Sequence, residues 1–309
     1  MPKILALTGC TASGKSALAL ELARELSGEI VCMDSMQIYR RMDIGTAKPT
    51  REEQMAVPHH LLDIVEPEES YGVADYVRDA EKAFAEIWNR GRLPVLVGGT
   101  GLYLKALLHG LALGAEKSDP ELRARLEKEA LAPGGREKLH QALERVDPFS
   151  AARLHPNDLR RVIRALEVYQ LSGVPLSRQN QDVRERPYQI LPFCLRMNRQ
   201  ELFDRIQRRV EKMLEQGLLE EVRELLQSGV PLSAQSMQAI GYKELVPVAL
   251  GRASLSDAAE QLALHTRHYA KRQETWFLGE KSLRWLEAGA SALPAASLLA
   301  REFLNQPGD

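Results

Sequence analysis

The sequence contains little cysteine and no long apolar run, and each absence excludes a class of protein. The three cysteines, Cys10, Cys32 and Cys194, are odd in number and widely spaced, which argues against a disulfide scaffold or a cysteine-based zinc centre. No stretch approaches the roughly 18 consecutive apolar residues of a membrane span. The first apolar stretch leads directly into a glycine-rich loop, so we interpret it as a strand rather than a signal peptide. We therefore expect a cytoplasmic protein.

Net charge is also nearly absent, at −1 over 309 residues, so the chain as a whole gives no sign of a nucleic-acid partner. The distribution is uneven, because residues 153–212 carry 13 Lys and Arg against 7 Asp and Glu. A basic segment in a nearly neutral chain suits a local anionic partner, although a solvated helical surface explains this charge equally well. The length favours about two domains.

The most specific pattern present is that of a phosphate-binding loop, G-x-x-x-x-G-K-[ST], which residues 9–16 match at every fixed position. An apolar run precedes it and a helical pattern follows it, which is the context that the pattern requires. In such a loop, backbone N–H groups and the helix dipole surround a phosphate. Lys15 adds a full charge, and the Ser16 hydroxyl can hold Mg²⁺. A glycine-rich turn without a ligand is the alternative.

The first third of the chain alternates strand and helix patterns. Buried strands are predicted at residues 4–8, 29–34 and 94–97, and helices at 15–26, 73–90 and 102–108. Apolar strands separated by helices predict an α/β fold with a parallel sheet, whose ligands bind at the carboxyl ends of the strands. Lys15, Asp34 and Thr100 follow or end these three strands, so we expect them to meet at that edge.

After about residue 112 the pattern becomes mostly helical and charged. Helices are predicted at 121–131, 136–145 and 157–171, followed by a polar stretch at 177–187. We interpret residues 112–187 as a helical insertion domain between two parts of a P-loop core, 1–111 and 188–309. A strand at 190–195 should return to the sheet, and most of 199–277 should be helical. The tail beyond about residue 288 shows no clear pattern.

Two polar positions near the predicted site have more than one interpretation. Asp34 could hold Mg²⁺ through water, act as a general base or cap a local turn, and Ser35 and Gln37 beside it could hydrogen-bond the edge of a base. Thr100 lies in a Gly-Gly-Thr-Gly segment, where the backbone either approaches a ligand closely or simply turns tightly. No acid ends the strand predicted at residues 94–97, which weakens the interpretation of the protein as an ATP-hydrolysing enzyme.

Longer patterns resemble the tRNA dimethylallyltransferases, also called tRNA isopentenyltransferases. Besides the phosphate loop and residues 94–104, they are Asp34-Ser35-Met36-Gln37-Ile38-Tyr39, Asp43-Ile44-Gly45-Thr46-Ala47-Lys48-Pro49, His59-His60-Leu61-Leu62-Asp63, His155-Pro156-Asn157-Asp158, Gln238-Ala239-Ile240-Gly241-Tyr242-Lys243 and Lys271-Arg272-Gln273-Glu274-Thr275-Trp276. They follow one another along nearly the whole chain, which makes the resemblance specific. The chain departs from the family pattern at Cys10, where proline is usual, and at Arg160, where glutamine is expected.

The resemblance implies transfer of a dimethylallyl group from dimethylallyl diphosphate to N6 of adenine 37, beside the tRNA anticodon, with release of diphosphate. The phosphate loop would then bind the leaving diphosphate rather than ATP, with Mg²⁺ as the cofactor on Ser16. Asp34 would accept the N6 proton, and Thr100 would position the reacting groups. The implied partners are the anticodon stem-loop of tRNA and dimethylallyl diphosphate, with no membrane or protein partner.

The family's binding residues map onto this sequence in two sets. Contacts with the diphosphate are expected from Gly9, Thr11, Ala12, Ser13, Gly14, Lys15, Ser16 and Arg209. Arg209 could equally be an exposed helical arginine. Contacts with tRNA are expected from Asp34, Ser35, Met36, Gln37, Thr100, Arg123, Arg160, Arg161, Arg164, Gln238, Gly241, Tyr242, Lys243, Lys271, Arg272 and Trp276. On the predicted helix, Arg160 and Arg164 share one face, as a clamp on the RNA backbone requires.

Three other functions would use part of these features. A small-molecule kinase would use the same loop for ATP, but the missing strand-end acid and the basic helical region argue against it. An adenylate isopentenyltransferase would share the N-terminal patterns, yet the long segment beyond Thr100 would then lack a purpose. An RNA-binding module with a vestigial loop should have lost at least one of Lys15, Ser16, Asp34 and Thr100.

Overall fold

The computed structural model describes residues 1–111, 119–179 and 185–306. Its core is a six-stranded sheet in which all neighbouring strands are parallel. The strands are β1 Lys3–Gly9, β2 Gly28–Cys32, β3 His59–His60, β4 Leu93–Val97, β5 Gln189–Arg196 and β6 Arg284–Glu287, and their spatial order is β3-β2-β4-β1-β5-β6. The predicted α/β class is confirmed, as is the return of the chain to the sheet at β5.

Burial on both faces explains why the central strands are continuous apolar runs. β1 lies in the middle, where Leu5 is paired with Val95 of β4 on one side and with Leu191 of β5 on the other. All three side chains are buried. This arrangement places the carboxyl ends of β1, β2 and β4 side by side.

Fourteen α-helices are found in the described part of the chain. They are α1 Lys15–Glu25, α2 Arg51–Ala56, α3 Val73–Asn89, α4 Gly101–His109, α5 Pro120–Leu131, α6 Gly135–Val146, α7 Pro148–Arg153, α8 Leu159–Ser172, α9 Leu176–Gln179, α10 Arg199–Glu215, α11 Leu218–Gln227, α12 Tyr242–Ala249, α13 Leu255–Leu278 and α14 Ala292–Asn305. None of those described is long and apolar enough to cross a membrane.

The chain divides into two compact units. The first is Met1–Leu104 with Pro187–Asp309 and contains the sheet; the second is Lys105–Arg186 and is helical. The second unit has its own apolar core, built from leucines of α5 and α6 and from the buried face of α8. The predicted boundary at residue 112 lies outside the described residues, as do residues 180–184 of the predicted polar stretch.

Two elements near the C-terminus carried no clear sequence pattern. β6 is a four-residue edge strand in which only Leu286 is buried, so it has no apolar run that would mark it as a strand. α14 packs on α1 and the sheet through small residues, with Ala296 and Ala300 fully buried. Because alanine is only weakly apolar, the buried face of this helix does not stand out as a helical pattern of apolar residues in the sequence.

Candidate active site

The turn between β1 and α1 has the backbone conformation of an anion-binding loop. Gly9 and Gly14 have φ angles of 147° and 92°, and Ala12 between them has φ of 63°. No side chain caps α1, so the N–H groups of its first turn have no intrahelical partner. A cavity of about 340 Å³, lined by Lys15 and Ser16, borders this helix end. Such an end binds phosphate groups readily.

A buried glutamine from α13 holds this loop against the turn that follows β4. The Gln273 side chain accepts a hydrogen bond from Thr11 N at 2.9 Å and donates one to the Gly99 carbonyl at 2.9 Å. Sequence analysis missed Gln273 as a site residue. The spacing of Gln273 from Ala270 and Phe277 could have identified it, because the three residues share the buried face of α13.

The ends of β2 and β4 bring Asp34 and Thr100 together, as predicted. Thr100 N donates to the Met33 carbonyl at 3.3 Å, and Ser35 N donates to Thr100 Oγ1 at 3.1 Å. Gly98 permits this approach, because a Cβ there would overlap the Met33 backbone. Asp34 therefore has a fixed place beside the phosphate loop.

Asp34 is half-buried, and its two oxygens have different surroundings. Oδ1 accepts a hydrogen bond from Met36 N at 2.9 Å, so the capping interpretation holds for this oxygen. Oδ2 accepts none from the residues that the structure describes. The carboxyl lines a cavity of about 70 Å³ together with Lys15 and Ser16. It also lines a larger cavity of about 230 Å³ with an apolar wall.

Arg209 of α10 faces the phosphate loop and is not the exposed helical arginine of the alternative interpretation. It lines all three cavities and forms no hydrogen bond or ion pair with any described residue. Burial lowers the pKa of Lys15, the charge of Arg209 lowers it further, and Asp34 opposes both effects. Burial also lowers the pKa of Arg209, again against Asp34. Two cations here face one carboxylate, a balance that suits a bound anion.

The loop at residues 43–49 forms another wall of the site. Thr46, Ala47 and Pro49 line the 70 Å³ cavity. The Gln37 amide donates hydrogen bonds to the carbonyls of Thr46 and Ala47, both at 3.0 Å. Gln37 therefore uses its two amide hydrogens inside the protein, and its contact with tRNA stays a prediction.

His59, which belongs to one of the family patterns, is a further residue at the phosphate loop, although no site role was predicted for it. It lines two of the cavities, and burial lowers its pKa. Its Nδ1 donates to the Val57 carbonyl at 2.7 Å. The adjacent His60 contacts Glu29 at 2.7 Å. Over the described ranges, no group of three His, Cys, Asp or Glu could hold a metal ion.

The predicted tRNA residues of the first unit differ in exposure. Those on the surface are Gln238, Lys243, Lys271 and Arg272, and those half-buried are Asp34, Ser35, Met36, Gln37, Thr100 and Trp276. Tyr242 is fully buried and its hydroxyl donates to Glu221. Gly241 is also buried and its N–H donates to Glu244 at 2.7 Å. These two residues thus bind protein groups in the structure.

In the second unit, two of the four predicted RNA-binding arginines share a buried carboxylate. Arg123 and Arg164 each place a guanidinium nitrogen 2.8 Å from Glu167 Oε2, and Glu167 is fully buried. Removing either arginine would leave a buried charge partly unpaired. Arg160 and Arg161 are exposed. Arg160 has no partner among the described residues.

Comparison with known proteins identifies the family of the chain. A family model described as IPP transferase matches residues 37–280 of the chain. The chain belongs to the IPP transferase family. The resemblance inferred from the sequence patterns is confirmed.

Relatives of this family extend over nearly the whole chain. A "tRNA dimethylallyltransferase 1" of Trichlorobacter lovleyi is 50% identical over 287 residues, which cover 92% of this chain and 93% of that protein. The crystal structure of a full-length tRNA isopentenylpyrophosphate transferase from Bacillus halodurans has a TM-score of 0.71 at 42% identity and covers 98% and 96% of the two chains. A eukaryotic dimethylallyltransferase described as acting on tRNA has a TM-score of 0.83 at 29% identity, with 99% and 81% covered.

Proposed function

We propose that the protein is a cytoplasmic tRNA dimethylallyltransferase, which transfers the dimethylallyl group of dimethylallyl diphosphate to N6 of adenine 37 and releases diphosphate. One observation carries the proposal: in a chain of this family, a phosphate loop and the carboxylate of Asp34 border the same small cavity. Lys15 and Ser16 of the phosphate loop and the Asp34 carboxyl all line that cavity. A leaving diphosphate and an attacking amine need this juxtaposition.

The phosphate loop is assigned to the diphosphate. The N–H groups at the start of α1 would donate to its oxygens, while Lys15 and Arg209 would stabilise the negative charge that grows as the C–O bond breaks. Both cations are partly buried, and their interaction with an anion is stronger there than in bulk water. No ATP is consumed in this reaction.

Asp34 is assigned the role of general base. The lone pair of the exocyclic N6 is delocalised into the purine ring, so the amine attacks effectively only as its proton is removed. Asp34 Oδ2, to which none of the described residues donates, can accept that proton, whereas Oδ1 is held by Met36 N. The Thr100 hydroxyl accepts from Ser35 N, and its own hydrogen can be donated to the substrate.

The larger cavity beside Asp34 is assigned to the extruded adenine. A base must leave its stack before an enzyme can act on its exocyclic group. The apolar wall of this cavity includes Met36, Ile206, Val210 and Ile240, and side chains of this kind can cover the faces of a flat purine. Gln238 at the same cavity is exposed and can form polar contacts with the incoming tRNA.

The donors at the loop fit a magnesium ion. Mg²⁺ prefers oxygen ligands, usually one or two from the protein together with substrate phosphates and water. The Ser16 hydroxyl and the Asp34 carboxyl line one cavity and supply oxygen donors of this kind. When bound, the ion would neutralise charge on the diphosphate; Ser16 would hold it directly.

The reaction can be tested by following the prenyl group. The protein is incubated with labelled dimethylallyl diphosphate and Mg²⁺, in separate reactions with unmodified tRNA, with AMP or with neither. We expect label in the tRNA alone. Label in AMP would instead support an adenylate isopentenyltransferase, and consumption of ATP without prenyl transfer would support a kinase.

Binding of tRNA should depend on Arg160, which is exposed and has no ion-pair partner in the described part of the chain. In Arg160→Ala we expect weaker tRNA binding and a shallower dependence of affinity on salt, with a slope lower by about one, because one phosphate contact fewer releases fewer counterions. The measurement is a salt titration of tRNA affinity. Arg145→Ala is the control, because Arg145 is exposed on the same unit but is not among the predicted tRNA contacts. An unchanged slope would show that Arg160 does not contact phosphate.

A further inference from the structure

Glu221 of α11 binds three consecutive backbone N–H groups of the loop at residues 43–49. Its Oε2 accepts from Asp43 N and Ile44 N, both at 2.8 Å, and its Oε1 accepts from Gly45 N at 3.1 Å. Successive N–H groups that converge in this way form a site for an anion, and here the protein's own carboxylate is the anion. Hydrogen bonds to an ionised acceptor are about twice as strong as neutral ones.

The same carboxylate connects the loop to α12. The Tyr242 hydroxyl donates to Glu221 Oε1 at 2.5 Å. The Tyr242 ring packs directly on Gly45, where a Cβ would overlap it. Glu221 therefore joins two segments, residues 43–49 and 238–243, that belong to the family patterns of the sequence. Neither segment has been assigned a step of the reaction.

The part of the loop that follows borders the reaction cavities. Thr46 and Ala47 line the cavity shared by Lys15 and Asp34, and Ala47 also lines the cavity at the start of α1. Lys48 anchors the end of the loop, since its buried ammonium lies 2.6 Å from Asp63 Oδ1 and also contacts the Asp43 side chain. Glu221 holds the backbone N–H groups of residues 43–45. Its loss would therefore loosen the backbone that precedes the cavity wall, while Lys48 would still hold the Asp43 side chain.

We propose that Glu221 is a positioning residue, which keeps the loop at residues 43–49 in the conformation that binds the diphosphate substrate. It touches no reacting atom, and it acts through the three N–H groups that it accepts. The identity of the substrate rests on the proposed function; the effect on the loop does not. If the competent loop conformation becomes a minor population, the apparent dissociation constant rises in inverse proportion to that population, while turnover at saturation changes little.

The test compares Glu221→Ala and Glu221→Gln with Glu220→Gln. Glu220 is the neighbouring residue on α11; it is exposed, pairs with Arg223 at 3.1 Å and forms no hydrogen bond with residues 43–49. The first measurement is amide hydrogen exchange in the free protein, with attention to residues 43–45. The second is the affinity for inorganic diphosphate with Mg²⁺, which requires neither tRNA nor the prenyl group. The third is the split between KM for dimethylallyl diphosphate and kcat.

In Glu221→Ala we expect amide exchange at residues 43–45 to accelerate at least tenfold. Diphosphate affinity should fall about tenfold, which corresponds to about one-tenth of the molecules keeping the loop conformation that binds diphosphate. KM should rise to the same extent, with kcat within about twofold. Glu221→Gln, which keeps one acceptor oxygen, should be intermediate, and Glu220→Gln should match the unaltered protein. A lower melting temperature with KM unchanged would show a merely structural role and overturn the proposal.

Failure of this proposal is distinguishable from failure of the proposed function. If no prenyl transfer to tRNA is found, the exchange and diphosphate measurements still report on the loop. If transfer is found but Glu221→Ala exchanges and binds diphosphate as Glu220→Gln does, then Glu221 does not position the loop.

Discussion

Replacing Asp34 with asparagine should lower the rate of prenyl transfer to tRNA by about 10³-fold, the typical contribution of a general base. Tight binding of both substrates should persist. The reason is that N6 of adenine loses its proton as the new C–N bond forms, and Asp34 is the carboxyl at the cavity that also contains Lys15 and Ser16. Asparagine cannot accept that proton.

The choice of asparagine follows from the local structure. Asp34 Oδ1 accepts a hydrogen bond from Met36 N at 2.9 Å, and an asparagine Oδ1 can accept the same bond, so the turn after β2 is retained. Alanine would remove the base and the cap together and would leave the cause of a lost rate ambiguous. Comparison of the two variants therefore separates catalysis from local folding.

The measurements are single-turnover transfer of labelled dimethylallyl groups and tRNA affinity under the same conditions. Asp257→Asn is a suitable control, because Asp257 is also a carboxylate of the first unit but is exposed in the first turn of α13 and lines none of the three cavities. Transfer within a few-fold of the unaltered rate in Asp34→Asn would exclude Asp34 as the base. A parallel loss of tRNA affinity would show that Asp34 acts mainly in binding.

Two parts of the site could be predicted from short sequence patterns and from the order of the strands. The phosphate loop is read from glycines at fixed spacing, and the meeting of Lys15, Asp34 and Thr100 follows from the parallel arrangement of the strands that precede them. Both predictions rest on the rule that the carboxyl ends of neighbouring parallel strands lie at one edge. The position of Asp34 relative to the loop was therefore available without coordinates.

Contacts between distant segments were not predictable in the same way. Gln273 joins the phosphate loop across 262 residues of chain, and Glu221 joins the loop at residues 43–49 across 178. Each is a single polar residue on a helix, where spacing alone cannot tell which neighbour it will meet. Arg209 was ambiguous for the same reason, since a helical arginine is exposed or buried according to what packs on α10.

Charge patterning did not reveal one contact of the predicted RNA clamp. Arg160 and Arg164 share a helical face in sequence, and both suit an RNA clamp. The structure shows that Arg164 contacts the buried Glu167, together with Arg123. A buried carboxylate cannot be distinguished from an exposed one by residue type. The two arginines that flank it therefore have a folding role whatever else they contact.

Replacing Lys15 with alanine should weaken diphosphate binding and lower kcat/KM for dimethylallyl diphosphate by about 10²- to 10³-fold, the usual cost of removing one preorganised charge-stabilising group. Lys15 lies at the start of α1, where the N–H groups and the ammonium would act on the same oxygens. Arg209 would remain, so some binding should persist. Isothermal titration with inorganic diphosphate and Mg²⁺ measures the first effect, and transfer kinetics measure the second.

The pH dependence of diphosphate binding tests the role of Lys15 more directly. Burial and the nearby Arg209 lower the pKa of Lys15 below its ordinary value of 10.5, so the ammonium loses its proton at a lower pH than an exposed lysine. Affinity should therefore be greatest below this lowered pKa and fall as the pH rises through it. In Lys15→Arg the side chain stays charged across this range, and the decline should disappear. If the arginine variant shows the same alkaline decline, a different group titrates, and Lys15 is not the cation that holds the leaving diphosphate.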